Sequence, residues 1–292
     1  MRDTDAPGPG HLILDLPGCI VKVLWESGNP RQALRTLYPY HRRVSSRQAD
    51  HTYQLRGRVQ GGAWLWTIVE DDQLVAEHCA EHRLADTLER QITIRAMSRQ
   101  GGQILIHAAT ARVGGGAVVL PAPSGAGKTT LTLALRDRGI QVLGDDILML
   151  DPVSLTARAF PRSFLIKGGT AARRIRLEAY RDVHGEISAG RAVRVDHLIF
   201  LERRTAAIAT LSPCTGTESL QALIPLMEPR HAGAERSFHA LVRVIQNARR
   251  HRLIYAEASQ GAVAAARLLG AWASSSRNGL GQESRRSGRL LA

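Results

Sequence analysis

The stretch VVLPAPSGAGKTTLTLAL, residues 118–135, constrains this chain more than any other. An apolar run, AVVL, leads into a short loop, APSGAGK. The loop opens directly into an amphipathic helix, KTTLTLALRDRG, with Gly139 as its stop signal. A strand that delivers the chain into a tight, glycine-bearing loop at a helix N-terminus makes a phosphate cradle. Successive backbone N–H groups converge there, and the helix dipole adds to the attraction. The usual motif begins with Gly, and Ala122 stands in its place. A methyl group is tolerable at that position if its φ stays negative. Gly125 and Gly127 remain where the backbone must approach phosphate or take unusual φ. Lys128 is expected at the β/γ-phosphates, and the Thr129 hydroxyl on Mg²⁺.

Seventeen residues after Lys128 comes Asp145-Asp146, following GIQVLG. A strand after the loop helix should run parallel to the loop strand, which brings its C-terminal end to the same crevice. Of two carboxylates there, one can hold Mg²⁺ and the other can take a proton from an attacking hydroxyl. Crowding them raises the pKa of one.

Around this centre the pattern is that of an α/β protein. HLILDL, CIVKVLW, HTYQLRGRV and AWLWTIV read as strands separated by turn residues, and ALRTLYPYHRR reads as a helix among them. Residues 84–100 have helical spacing, with Leu84, Leu88, Ile92 and Met97 on one face and Gly101-Gly102 as the stop. ILIHAATARV and GGGAVVLPA form a hairpin into the loop. RVDHLIFLER and RLIYAEAS are later strands. Helices are expected around 217–228, around 235–250 and over QGAVAAARLLGAW. The expected organisation is a disordered 1–10, a β-rich α+β region over 11–100, a phosphate-loop domain over 101–273 and a disordered basic tail over 274–292.

The formal charge is +13, yet only Lys22, Lys128 and Lys167 are lysines, and no aromatic platform accompanies the arginines. The balance favours acidic ligands, not nucleic acid. Cys19, Cys79 and Cys214 are widely spaced and odd in number, which fits a reducing cytoplasm and no disulfide framework. No apolar run reaches the length of a membrane span, and the polar start does not read as a signal peptide.

The segment LIHAATARVGGGAVVLPAPSGAGKTTLTLALRDRGIQVLGDDILMLDP resembles the core of the HPr kinase/phosphorylase family, and more closely the shorter HPr-kinase-related proteins of bacterial gene clusters. The matching residues are His107, Gly114 to Gly116, Ser124 to Thr129, and Asp145-Asp146. The resemblance implies an HPr-kinase-type core: a mixed, mostly parallel sheet with a hairpin before the loop. It implies transfer of the γ-phosphoryl group of ATP, with Mg²⁺, to a Ser or Thr hydroxyl of a peptide or small protein. A precursor peptide is one such acceptor. By that resemblance Asp145 is the general base, Asp146 and Thr129 hold the metal, and His107 lines the site. Ser124, Gly125, Ala126, Gly127, Lys128, Thr129 and Thr130 form the nucleotide contact set. Arg162 and Lys167, in FPRSFLIK, are candidates to clamp phosphate or transferring charge. Self-association is also implied. The Glu-x-Arg-Gly-like signature of the full HPr kinases is absent, so the resemblance does not carry the reverse reaction or HPr as the acceptor. Two alternatives share the same residues: a kinase for an amino acid or sugar hydroxyl, and a nucleotide-gated regulatory protein with little turnover.

Overall fold

The computed structural model describes residues 8–38, 48–160, 162, 164–168, 171–175, 192–228 and 232–270. Residues 1–7 of the expected disordered stretch 1–10, and the tail over 274–292, lie outside these, while Gly10 already belongs to the first strand because its backbone pairs with Trp25. The chain divides into two compact units, Met1–Gly101 and Gly102–Ala292. Both are mixed α and β, the first built on a β-rich sheet and the second on a larger mixed one.

In the first unit, β1 (Gly10–Leu16), β2 (Cys19–Trp25), β3 (His51–Gln60), β4 (Ala63–Glu70) and β5 (Gln73–Ala80) pair in chain order, with α1 (Glu81–Ser98) following. Among the described residues only β2–β3 is parallel. The hairpin turns follow from their residues. Gly61-Gly62 and Asp71-Asp72 all take positive φ, as two-residue loops between right-twisted strands demand. Alternation then sends Leu14, Leu16, Val21, Val23, Tyr53, Leu55, Trp66 and Ile68 to a buried face. Leu84, Leu88, Ile92 and Met97 of α1 are buried too, as their spacing predicts. Arg95 of α1 grips Glu70 with two hydrogen bonds of 2.6 and 3.1 Å. The ligand atoms of His51, Glu70 and Asp71 lie within 4.8 Å of one another, with the Arg95 fork on Glu70 and the His51 Nδ1 2.8 Å from Asp71 Oδ2, so hydrogen bonds and ion pairs join the cluster.

One expectation is corrected here, and one strand gave no signal in the sequence. ALRTLYPYHRR is not one helix among the described residues: a 3₁₀ turn over Ala33–Thr36 ends at an extended Leu37. Tyr38 precedes a proline, which disfavours helical backbone, and takes φ 41°. β5, QLVAEHCA, has weak alternation and was not expected as a strand.

The second unit begins with the hairpin β6 (Ile104–Val113) and β7 (Gly116–Pro121), turned at Gly114 with φ 60°. There follow α2 (Lys128–Arg136), β8 (Gln141–Gly144), β9 (Ile147–Leu150), β10 (Thr156–Ala159), and the separate hairpin β11 (Phe164–Gly168) with β12 (Ala171–Ile175). Next are β13 (Val193–Arg203), β14 (Thr210–Pro213), α3 (Gly216–Leu223), β15 (Met227–Glu228), α4 (Ala234–Asn247) and β16 (Arg249–Tyr255). A final helix, α5, covers 258–270.

The strand order is β10-β9-β6-β7-β13-β16-β14, with β8 and β15 also on β6. Among the described residues only β7–β13 and β13–β16 are parallel, so the mostly parallel sheet expected from the sequence is corrected to a mixed, largely antiparallel one. The cause is the hairpin. It inserts β6 beside β7, so the strand after α2 pairs with β6 and reaches β7's direction only across it. Both faces are covered, and central strands are apolar on both sides. Val118, Leu120, Ile199 and Leu201 pack under α2 and α5, while Val119, Leu198 and Phe200 pack under α3 and α4. The helix expected around 217–228 stops at Leu223 because Pro225 follows, leaving a 3₁₀ turn and β15. Among the described residues no helix is long and apolar enough to cross a membrane.

Candidate phosphoryl-transfer site

The loop lies between β7 and α2, at the C-terminal edge of the parallel strands. Gly125 and Gly127 take φ 85° and 89°, the left-handed values that L side chains avoid. Ala122 is not among the positive-φ residues, and its methyl is buried at 1% exposure in the core beneath α2. Its carbonyl has a second task. Lys128 Nζ donates to the Ala122 oxygen at 2.6 Å and to the Pro123 oxygen at 3.0 Å, which folds the lysine across the base of the loop. Thr132 returns a hydrogen bond to the Lys128 carbonyl at 2.7 Å. Ser124, Gly125 and Thr130 are exposed on the mouth, and Ala126, Gly127 and Thr129 are half-buried.

The acidic pair directly follows the C-terminal end of β8 and precedes β9. β8 and β9 run in the same direction along β6, and Asp145-Asp146 interrupts them. Gly144 stands opposite Thr110, Ala108 N–H donates to the Asp146 carbonyl, and Ile147 stands opposite His107. A register shift between Thr110 and Ala111 breaks the pleat just before the pair. Bulges of this kind re-aim side chains.

The two carboxylates meet different surroundings. Asp145 is 5% exposed and accepts from Thr129 Oγ1 at 2.8 Å. Burial pushes its pKa up to about 7 against the Thr129 hydrogen bond, with the Asp146 charge adding to the rise. Asp146 also loses solvation, which alone would raise it. The His107 hydrogen bond and the Arg162 guanidinium outweigh that and hold its pKa below the ordinary value. His107 Nε2 lies 2.9 Å from Asp146 Oδ1, and Arg162 Nη1 bonds Asp146 Oδ2.

The structure thus brings His107, Arg162 and Asp146 together, and separately joins Thr129 to Asp145. Thr129 and Asp146, paired from the resemblance as metal ligands, share no hydrogen bond. The Lys167 side chain lies outside the described residues, although its backbone is in β11. Sequence reasoning missed Tyr255. Its hydroxyl donates to the Ala126 carbonyl at 2.9 Å, from a strand tip far along the chain. No motif spacing could have signalled it.

No family model and no curated protein matches this chain. Among solved structures it is similar to one titled the HPr(Ser) kinase/phosphatase from Coxiella burnetii. The match covers 62% of this chain and 98% of that one, at 14% identity and a TM-score of 0.31.

Proposed function

We propose that this chain is an ATP- and Mg²⁺-dependent kinase of the HPr-kinase type, transferring the γ-phosphoryl group to a Ser or Thr hydroxyl of a peptide or small protein. One observation carries the reading. A carboxylate with its pKa pushed up to about 7 sits beside the phosphate loop, hydrogen-bonded to the loop helix's own Thr129. A general base works best when its pKa is near the working pH, and Asp145 meets that condition through burial.

The other residues fall into roles by their chemistry. The N–H groups of Gly125, Gly127, Lys128 and Thr129 bind the phosphate chain, and Lys128 offsets its charge. Thr129 and Asp146 offer hard oxygen donors of the kind Mg²⁺ takes. Asp146 stays ionised under His107 and Arg162, and a carboxylate bonded at each oxygen still has lone pairs for a cation. Mg²⁺, when bound, supplies charge neutralisation at the phosphate oxygens. Asp145 takes the proton from the acceptor hydroxyl as that oxygen attacks the γ-phosphorus, the bond from phosphorus to the β,γ-bridging oxygen breaks, and ADP leaves. Arg162 meets negative charge on the transferring group. The peptide class of acceptor rests on the family resemblance and on the formal charge of +13.

The test is phosphate transfer from γ-labelled Mg-ATP to HPr, to Ser-ended peptides and to free serine. A labelled peptide or protein is expected, with transfer reduced about 10²–10⁴-fold in Asp145→Asn. Undiminished transfer by that variant would remove Asp145 as the base. Labelling of free serine alone would move the acceptor to the small-molecule class.

A further inference from the structure

The phosphate loop is braced from outside by a residue that its motif does not contain. Tyr255 ends β16 and is 1% exposed. β13 lies between β16 and the loop strand β7, so the side chain reaches across the strand tips to the loop. Its ring is fixed on the far side. A Cβ on Gly261 of α5 would stand 3.0 Å from Tyr255 Cγ and 3.2 Å from Leu131 Cδ1. Its hydroxyl donates to the Ala126 carbonyl at 2.9 Å. Burial raises the hydroxyl's pKa, more than Arg203 lowers it, so it remains a donor at neutral pH.

We infer that Tyr255 is a positioning residue for phosphate binding, which aims the Gly127 N–H into the cradle by holding the Ala126 carbonyl. The argument rests on peptide geometry. The described chain has no cis peptide bond. In a planar trans peptide the C=O of one residue and the N–H of the next point in opposite directions. With the Ala126 carbonyl turned out to Tyr255, the Gly127 N–H is turned inward. Glycine is required at 127 on two counts. Its φ is 89°, and a Cβ there would lie 2.8 Å from the Tyr255 hydroxyl oxygen. Without the brace, the peptide plane is free to rotate, and one donor of the cradle is lost for part of the time.

The inference rests on the nucleotide reading above, and the test separates the two. Full-length wild type and Tyr255→Phe are titrated with Mg-ATP and with inorganic tripolyphosphate, which has the phosphate chain and no base. Phe keeps the ring packing and removes only the hydroxyl. Both ligands are expected to bind the variant about 5–10-fold more weakly, the worth of one hydrogen bond. The ligand-free unfolding midpoint should fall by no more than the few degrees that one internal hydrogen bond is worth, and KM for ATP should rise more than kcat falls. Unchanged affinities, a loss confined to ATP, or a lowered ligand-free midpoint with unchanged affinities would each overturn the inference. If wild type binds neither ligand, the nucleotide reading itself fails and takes the inference with it. Gly261→Ala gives a second arm, since it retains the hydroxyl but displaces the ring. An affinity loss of about 2–3-fold is expected there, and no loss would count against the brace even if Tyr255→Phe did not fold.

Discussion

Asp145 and Asp146 are neighbours with opposite electrostatic fates, and that difference makes a prediction about stability as well as catalysis. The folded Asp145 binds its proton up to about pH 7, against an ordinary value of 3.8. Between those values the unfolded chain releases the proton first, so stability falls as pH rises from about 4 to 7 and then stays lowered. Asp145→Asn removes the buried charge while keeping an acceptor for Thr129. In metal-free protein at pH 8 the variant should be more stable by roughly 2 kcal/mol, a rise of about 4–8 °C in unfolding midpoint, although transfer is lost. A midpoint at or below wild type would show that the carboxylate is not under strain. Ala122 supports a second prediction. Ala122→Gly restores the usual motif but empties a buried methyl site and adds backbone freedom. It should cost about 1 kcal/mol in denaturant unfolding and leave Mg-ATP affinity unimproved. At this scale the loop was legible because its chemistry is contiguous: Gly125, Gly127, Lys128 and Thr129 report on one another. Tyr255 was not, because it meets Ala126 across 129 residues of chain.

Among the elements, periodicity served where one face is buried and failed where it is not. α1 and the β6–β7 hairpin were readable from apolar spacing and from their glycine turns. β5, β10 and β14 are short or weakly alternating strands, and the β11–β12 hairpin read only as a basic segment. The sheet's sense was misread because a strand's partner is set by what the hairpin interposes, and no local pattern states that. The same topology makes the acidic pair a break within a strand track, held by close packing behind it. A Cβ on Gly144 would stand 2.5 Å from the Ala159 Cβ. Gly144→Ala should therefore force β8 away from β10, costing about 1–3 kcal/mol in urea unfolding and weakening the Thr129–Asp145 contact. A neutral effect on stability would show that the strand pair yields easily.

Over the second unit as a whole, two buried titrations oppose each other. His197 is fully buried on β13, and burial, with Arg249 and His251 nearby, pushes its pKa down to about 4 from 6.5. The unfolded chain takes the proton first, so this group's contribution is complete above about pH 6.5 and is lost as pH falls toward 4. Asp145 contributes the reverse slope over nearly the same interval. Between pH 4 and 6.5 the two offset each other, so removing either should unmask the other. Stability of Asp145→Asn should climb with pH there, and that of His197→Leu should fall. Parallel profiles for the two variants, measured by denaturant unfolding across that range, would contradict the assignment. In the function proposed above, the loop, with Lys128 across its base and the acidic pair beside it, serves as the nucleotide site. Calorimetric titration of Mg-ATP into wild type and Lys128→Ala tests it most directly. Saturable binding at one site per chain, weakened at least about tenfold in the variant, is the result expected from a charge-assisted phosphate contact. No binding by wild type, or equal binding by both proteins, would contradict it.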